Sequence, residues 1–360
     1  MIRIAYVINY IVKNGPSSVI LNIINHLDKK RYDISLITLF SGNNLEVVQQ
    51  LQNQGVHVFQ CSTLSRFKCM LGVSKEFDTL VRDQHLDILH THGLIPDILA
   101  SRLKDSAQKI STIHNNMYED YLDTYGYLKS RIFIQMHLHA LKKLDQCVCC
   151  SKSVYDVMKY KLKNAIFIRN GIEPVQAHSV ITRNELGLSK EAKVFLYAGV
   201  LSSRKNVRRM IEQFCSHRMG NEYLLILGKG ETLQECQAVA DDHVRFMGFQ
   251  SDPVAFMNIS DVYVSASRSE GFSISVLEAL SSGLGLFLSV IPSHKEVIEM
   301  ANTAYIGEVF DENSFAEKLQ LLRNSYEHLD KNKIRAWQEA HLSAKKMAEQ
   351  YMRSYEEAME

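Results

Sequence analysis

The 360 residues are 46% hydrophobic and 22% charged, with 41 Lys and Arg against 40 Asp and Glu. So apolar a chain is no disordered tail, and it exceeds the ~250–300 residues at which a single core splits, so two domains are expected. A net charge of +1 gives no reason to expect a nucleic-acid partner, although residues 1–170 carry 21 basic and 14 acidic side chains (+7) and the remainder 20 and 26 (−6).

The chain opens with MIRIAYVINYIV, too short to span a bilayer and followed by polar NGPSS. It reads as a buried strand over 2–8 rather than a leader, and the expected location is cytoplasmic. A helix (SSVILNIINHL) and a strand (33–39) follow, then strands at 56–59, 86–90, 109–113, 146–150 and 165–168, with helical patterns between them. This alternation signals a parallel sheet with crossover helices. The segment 118–145 reads as one helix dense in Lys, Arg and His. Cys147, Cys149 and Cys150 lie in DQCVCCS, read as a buried strand with free thiols in a reducing compartment.

RNGIEP (169–174) punctuates the chain, and a second cycle begins. Strands are expected at 193–199, 223–228, 244–248, 261–265, 285–289 and 304–307, and a long charged helix over about 333–358. The fold class is therefore α/β, with two doubly wound Rossmann-like domains, 1–170 and 171–342. They are expected to face one another across a cleft, with the C-terminal helix, about 343–360, packing back on the first domain. In open α/β sheets ligands bind at the carboxyl ends of strands. The polar motifs cluster there: NGP after the first strand, His90 and His92 after LDIL, His114 after STI, SSRKN after VFLYA, and SRSEGFS after VYVS.

The last of these is the most informative. Gly271 allows close approach to the backbone, and Ser273 reads as the N-cap of an apolar helix. The amides of Ile274, Ser275 and Val276 would then be unpaired and suited to an anion. Glu270 and Glu278 flank this cradle, which suggests a ligand with sugar rings on both sides of a diphosphate. The alternative for Glu278 is a capping box with Ser275, and for Glu270 a solvated loop position. Lys205, with Arg204 beside it, sits at a helix start, where a cation opposes the helix dipole and calls for an anion; otherwise it is a solvated helix start. His114 is either a satisfied strand-end histidine or part of the site. His90 and His92 are expected to face opposite ways, as structural or acceptor-lining groups, and to make a poor metal site.

The ordered set NGPSSVILNIINHL, LDILHTHG, STIHN, VCCSKSVYD, IRNGIE, AGVLSSRKNVRRMIEQF, LLILGKGE, VRFMGF and SRSEGFSISVLEALSSG resembles retaining glycosyltransferases of the GT-B fold, in the large family 4. The resemblance runs nearly end to end. It implies that Glu270 contacts the donor sugar and that Glu278 holds the ribose. Gly271, Phe272, Ser273, Ile274 and Ser275 then form the donor-binding segment, with amides on the diphosphate. It places His114 near the anomeric carbon, Gly15 near diphosphate and acceptor, and Lys205 and Arg204 on the leaving group. Val200 stands where relatives often carry Arg, and Asn206 where many have Gly. No D-x-D triplet occurs, so no metal and no cofactor are implied. The expected donor is a UDP-sugar, and the expected acceptor a saccharide or lipid-linked saccharide for a bacterial surface polysaccharide. Basic, apolar segments 66–75 and 131–143 suggest an anionic membrane surface as a further partner, the alternative for 131–143 being a core helix. A non-hydrolysing nucleotide-sugar epimerase of the same fold and a non-catalytic nucleotide-sugar-binding protein are the rival readings. An NAD-dependent dehydrogenase is disfavoured, because GKGETL lacks the full Gly-rich fingerprint.

Overall fold

The computed structural model describes residues 1–301 and 306–360. Two compact units emerge: Met1–Gly171 with Ala344–Glu360, and Ile172–Ser343. Each is an all-parallel sheet whose central strands are apolar runs buried on both faces, as crossover helices require, while edge strands such as His57–Gln60 and Ala165–Phe167 are only partly covered.

The first unit holds β1 (Ile2–Ile8), β2 (Tyr32–Thr38), β3 (His57–Gln60), β4 (Ile88–His92), β5 (Gln108–Ile113), β6 (Gln146–Cys149) and β7 (Ala165–Phe167). Their order is β3-β2-β1-β4-β5-β6-β7. Strand order reverses between β1 and β4, which opens a crevice at their carboxyl ends. The loop after β1 leads into the helix Gly15–His26, where Asn14 accepts the Ser17 amide at 2.9 Å and Pro16 stands in the first turn.

The second unit holds β8 (Lys193–Ala198), β9 (Glu222–Leu227), β10 (Val244–Gly248), β11 (Val262–Ser265), β12 (Gly285–Ser289) and β13 (Gly307–Phe310). Their order is β10-β9-β8-β11-β12-β13, with the reversal between β8 and β11. Of the strand expected at 304–307, residues 304 and 305 lie outside the described residues, and β13 starts at Gly307.

Three local expectations are corrected. The helix expected over 118–145 runs Met117–Leu141 and is broken at Gly126, whose φ of 72° and ψ of 173° leave the helical region. Glycine takes this conformation without steric cost. The helix expected over 333–358 is two helices, Lys331–Leu342 and Ala344–Met359. Ser343 is extended between them (φ −77°, ψ 152°), and the chain passes there from the second unit to the first. His90 and His92 do not face opposite ways: their rings lie 4.4 Å apart. Residues i and i+2 of a strand share a face.

The helix Ala344–Met359 packs on Gly15–His26 and completes the core of the first unit. Tyr355 lies 2.7 Å from His90 Nδ1 and 3.1 Å from the Tyr6 hydroxyl, and Tyr351 lies 2.9 Å from Thr112. Of the seven cysteines, all but Cys215 are buried, and none forms a disulfide.

Candidate nucleotide-sugar site

In the second unit the loops after β8 and β11 meet at the strand-order reversal. After Ala198 the chain passes Gly199 and Val200, makes one 3-10 turn at Ser203–Lys205, and enters the helix Val207–His217. Asn206 joins turn to helix at φ +53°. That left-handed conformation suits Gly and, next best, Asn, which accounts for Asn at this position. Gly228 holds the neighbouring β9 loop close: a Cβ there would sit 1.9 Å from the Gly199 carbonyl oxygen.

The turn brings two cations onto one carboxylate. Lys205 Nζ bonds Glu270 Oε1, and Arg204 Nη1 lies 3.3 Å from Oε2. Arg204 also donates to the Ser269 carbonyl, and its own carbonyl accepts the Arg268 amide at 2.9 Å. Burial would raise the Glu270 pKa, but the charges of Lys205 and Arg204 outweigh it and hold the carboxyl at about 2.

Gly271 and Phe272 lead to Ser273, the N-cap of the helix Ile274–Ser281. The Ser273 side chain makes no capping bond, so the first-turn amides have no partner from their own cap. Glu278 lies one turn on. It is not the partner of a capping box, because the cap is Ser273 rather than Ser275. Ser275 bonds instead to the Tyr263 hydroxyl, which donates to the Ala198 carbonyl at 3.1 Å. Burial pushes the Glu278 carboxyl up to about 7. Glu278 lines a cavity of ≈260 Å³ with Gly199, Val200, Phe249, Gln250 and Ser275. Two carboxylates eight residues apart are thus driven in opposite directions, the usual mark of two separate roles.

In the first unit, His114 follows β5 and borders a cavity of ≈270 Å³ with His92, Asn14 and Pro16. Its Nε2 lies 2.8 Å from His92 Nδ1, with the rings stacked at 5.1 Å. Burial lowers the His114 pKa to about 4, so the ring is neutral near pH 7. Gly15 opens the helix between Asn14 and Pro16. His90 is fully buried and bonded on both nitrogens, to Tyr355 and Thr112, and is structural.

Residues 13–176 match Glycosyltransferase Family 4, and residues 180–338 match Glycosyl transferases group 1. The chain carries two glycosyltransferase domains. It is similar to the O-antigen biosynthesis glycosyltransferase WclY of Escherichia coli, at 25% identity over 98% of each chain. It is also similar to the UDP-Gal:alpha-D-GlcNAc-diphosphoundecaprenol alpha-1,3-galactosyltransferase of Escherichia coli, at 24% identity over 88% of this chain and 87% of that one. The Anabaena protein HepE, solved in complex with UDP and glucose, shares the fold at a TM-score of 0.78 and 12% identity, over 99% of this chain and 100% of that one. The two parallel-sheet units are those of a GT-B glycosyltransferase.

Within this glycosyltransferase the structure gathers Arg204, Lys205, Glu270, Gly271, Phe272, Ser273, Ile274, Ser275 and Glu278 in the second unit, and Gly15 and His114 in the first. The sequence reading missed His294. It follows β12 in the helix Pro292–Met300 and is 2% exposed. Its Nδ1 lies 3.0 Å from the Ser289 carbonyl, so Nδ1 carries the proton. Nε2 has no partner among the described residues. Burial lowers the His294 pKa to about 4, while Glu270 raises it and Lys205 lowers it, which places His294 beside the clamp. The strand-end rule that located the other motifs applies equally after β12 and would have found it. Among the described residues, no three His, Cys, Asp or Glu side chains converge as a metal site.

Proposed function

We propose that the protein is a retaining, metal-independent glycosyltransferase. It moves a hexosyl group from a UDP-sugar to an acceptor hydroxyl on a lipid-linked saccharide of a surface polysaccharide such as O-antigen or capsule. The observation that carries this reading is Glu278, a buried carboxyl raised by burial and facing a cavity, on a helix whose start receives no side-chain cap from Ser273. A buried carboxylate is costly unless a ligand bonds it, and the two hydroxyls of a ribose supply that bond.

In this reading Ile172–Ser343 binds the donor. Glu278 holds the ribose, the amides of the Gly271–Ser275 segment and the helix start hold the diphosphate, and Glu270 meets the donor sugar. Before the donor arrives, Glu270 pairs with both Lys205 and Arg204, and one positive charge of the three groups is left over. The incoming diphosphate is a competing anion for both cations, so they stand ready to stabilise it as it leaves. No protein nucleophile enters; the departing phosphate oxygen takes the acceptor proton on the same face, and configuration is retained. The first unit binds the acceptor, with neutral His114 lining its cavity. The acceptor class follows the two relatives' names, one in O-antigen biosynthesis and one acting on alpha-D-GlcNAc-diphosphoundecaprenol.

A lipid-linked acceptor calls for a membrane surface. No described helix is long and apolar enough to cross a membrane. Association is instead peripheral, through apolar side chains at 66–75 and 122–132 in the first unit.

Calorimetric titration with UDP tests the donor assignment. Wild type binds UDP; Glu278→Gln weakens binding by about 10- to 100-fold, the range for a hydrogen bond to a charged group. Lys205→Ala weakens it too and lowers turnover by ~10²–10³. Equal UDP affinity in wild type and Glu278→Gln contradicts the assignment.

A further inference from the structure

Three side chains of the first unit, distant in sequence, form one buried line of hydrogen bonds that no step above uses. Asp97 is 1% exposed. Its Oδ1 accepts the Thr91 hydroxyl, and its Oδ2 lies 2.7 Å from His137 Nε2. His137 Nδ1 in turn lies 2.7 Å from the Tyr121 hydroxyl. The Tyr121 and His137 rings are stacked, 13° from parallel. A carboxylate only accepts, so His137 Nε2 carries the proton. In the neutral ring Nδ1 is then a bare lone pair, and the Tyr121 O–H donates to it. Burial raises the Tyr121 pKa, so the phenol keeps its proton. What Tyr121 has left to offer a ligand is oxygen lone pairs.

Tyr121 and His137 both border the ≈270 Å³ cavity, as do Tyr125, Asn9 and His92. Two buried atoms of that lining, Asn9 Oδ1 and His92 Nε2, have no hydrogen-bond partner among the described residues. Buried polar atoms are normally satisfied, so orphans facing a cavity point to a ligand that satisfies them. Aromatic rings among several orphan polar atoms suit a ligand with apolar faces and hydroxyl edges.

We propose that the Tyr121 oxygen accepts a hydrogen bond from a hydroxyl of the acceptor saccharide and helps decide which saccharide fits. Asp97 and His137 are positioning residues that fix the polarity of that hydroxyl. The proposal rests on reading the first unit as the acceptor-binding one.

Asp97→Asn probes the polarity directly. The Thr91 hydroxyl also lies 3.2 Å from the Ile110 carbonyl; with the amide oxygen kept on Thr91, as Oδ1 is in wild type, the NH2 faces His137 Nε2. The imidazole proton moves to Nδ1, Nδ1–H donates to Tyr121, and the Tyr121 O–H turns outward as a donor. Saturation-transfer NMR with the methyl α-glycosides of glucose, galactose, N-acetylglucosamine and N-acetylgalactosamine reads the consequence. At least one probe binds wild type. Tyr121→Phe weakens that binding by about two- to tenfold, the worth of one neutral hydrogen bond, and Asp97→Asn does the same although the tyrosine is intact. The double variant is no weaker than Tyr121→Phe alone, because the two changes remove one interaction. UDP affinity stays at the wild-type level in all three, which shows that they fold. Failure of every probe to bind wild type, unchanged binding in Tyr121→Phe, or additive losses in the double variant overturns the proposal. If wild type transfers no sugar from any UDP-sugar, the transferase reading has failed and the acceptor role falls with it. If wild type turns over while Tyr121→Phe binds its saccharide normally, this inference alone fails.

Discussion

Glu270 and Glu278 are the two residues on which the site turns, and their environments predict opposite responses to pH. The Glu278 carboxyl has a folded pKa of about 7, above its unfolded value of about 4.5. The folded protein holds a proton that the unfolded chain has released, so stability falls as pH rises across that window. Above about pH 7 the ligand-free protein carries a penalty of about 1–3 kcal/mol, and Glu278→Gln removes it. The variant therefore melts higher than wild type in alkaline buffer while losing UDP affinity, as a residue kept for binding rather than stability should. Glu270 is the reverse. Its folded pKa of about 2 gives stability that is present above about pH 4.5 and lost as pH falls through about 2. Glu270→Gln leaves two cations facing each other and melts lower at neutral pH. Thermal melts of both variants across pH check the pair, and a lower melting point for Glu278→Gln at alkaline pH would restore the helix-cap reading. Both carboxylates were legible in the spacing of SRSEGFSISVLE. The choice between cap and ligand was not, because it depends on which serine caps the helix. The pairing of Glu270 with Lys205 was equally hidden, since 65 residues separate them. The shared face of His90 and His92, by contrast, follows from strand periodicity and was within reach of the sequence.

At the scale of elements, strand alternation was read well because buried parallel strands are short continuous apolar runs. Helix ends were read less well, because one residue decides them. Gly126 and Ser343 each break a pattern whose periodicity runs on regardless. The first break matters for the membrane. Within 131–143, Ile134, His137, Leu138, Ala140 and Leu141 are buried, so this segment is largely a core helix. The exposed apolar side chains lie nearer the break: Tyr127, Leu128 at 77% and Ile132 at 60%. Phe67, at 74%, and Leu71 add to them on the basic segment 66–75, and the Arg66 charge acts on Tyr125, which brings the two segments together. Apolar side chains ringed by Arg66, Lys68, Lys129 and Arg131 suit an anionic lipid surface, each cation contributing ~1 kcal/mol near the lipid. Co-sedimentation should therefore be seen with phosphatidylglycerol vesicles at low salt, be lost at high salt, and drop sharply in the double variant Leu128→Glu and Ile132→Glu. Both positions are exposed, so the fold is spared. Equal recovery on neutral and anionic vesicles, or on neither, removes the membrane surface from the account.

For the whole molecule, the sequence yielded two doubly wound sheets, because strand and helix periods alternate twice with a Gly- and Pro-marked seam between them. In each sheet the strand order reverses beside its first strand, at β1/β4 and β8/β11, and the site residues follow from those reversals. The proposed function stands on retention, in which the new bond keeps the configuration of the donor, and on protein cations rather than a metal carrying the leaving diphosphate. The most direct test is NMR of the product formed from an α-linked UDP-sugar and N-acetylglucosamine diphosphate on a short polyprenyl chain, in the presence of EDTA. The account predicts an α-linked product at an undiminished rate; a β-linked product, or turnover restored only by a divalent metal, would contradict it.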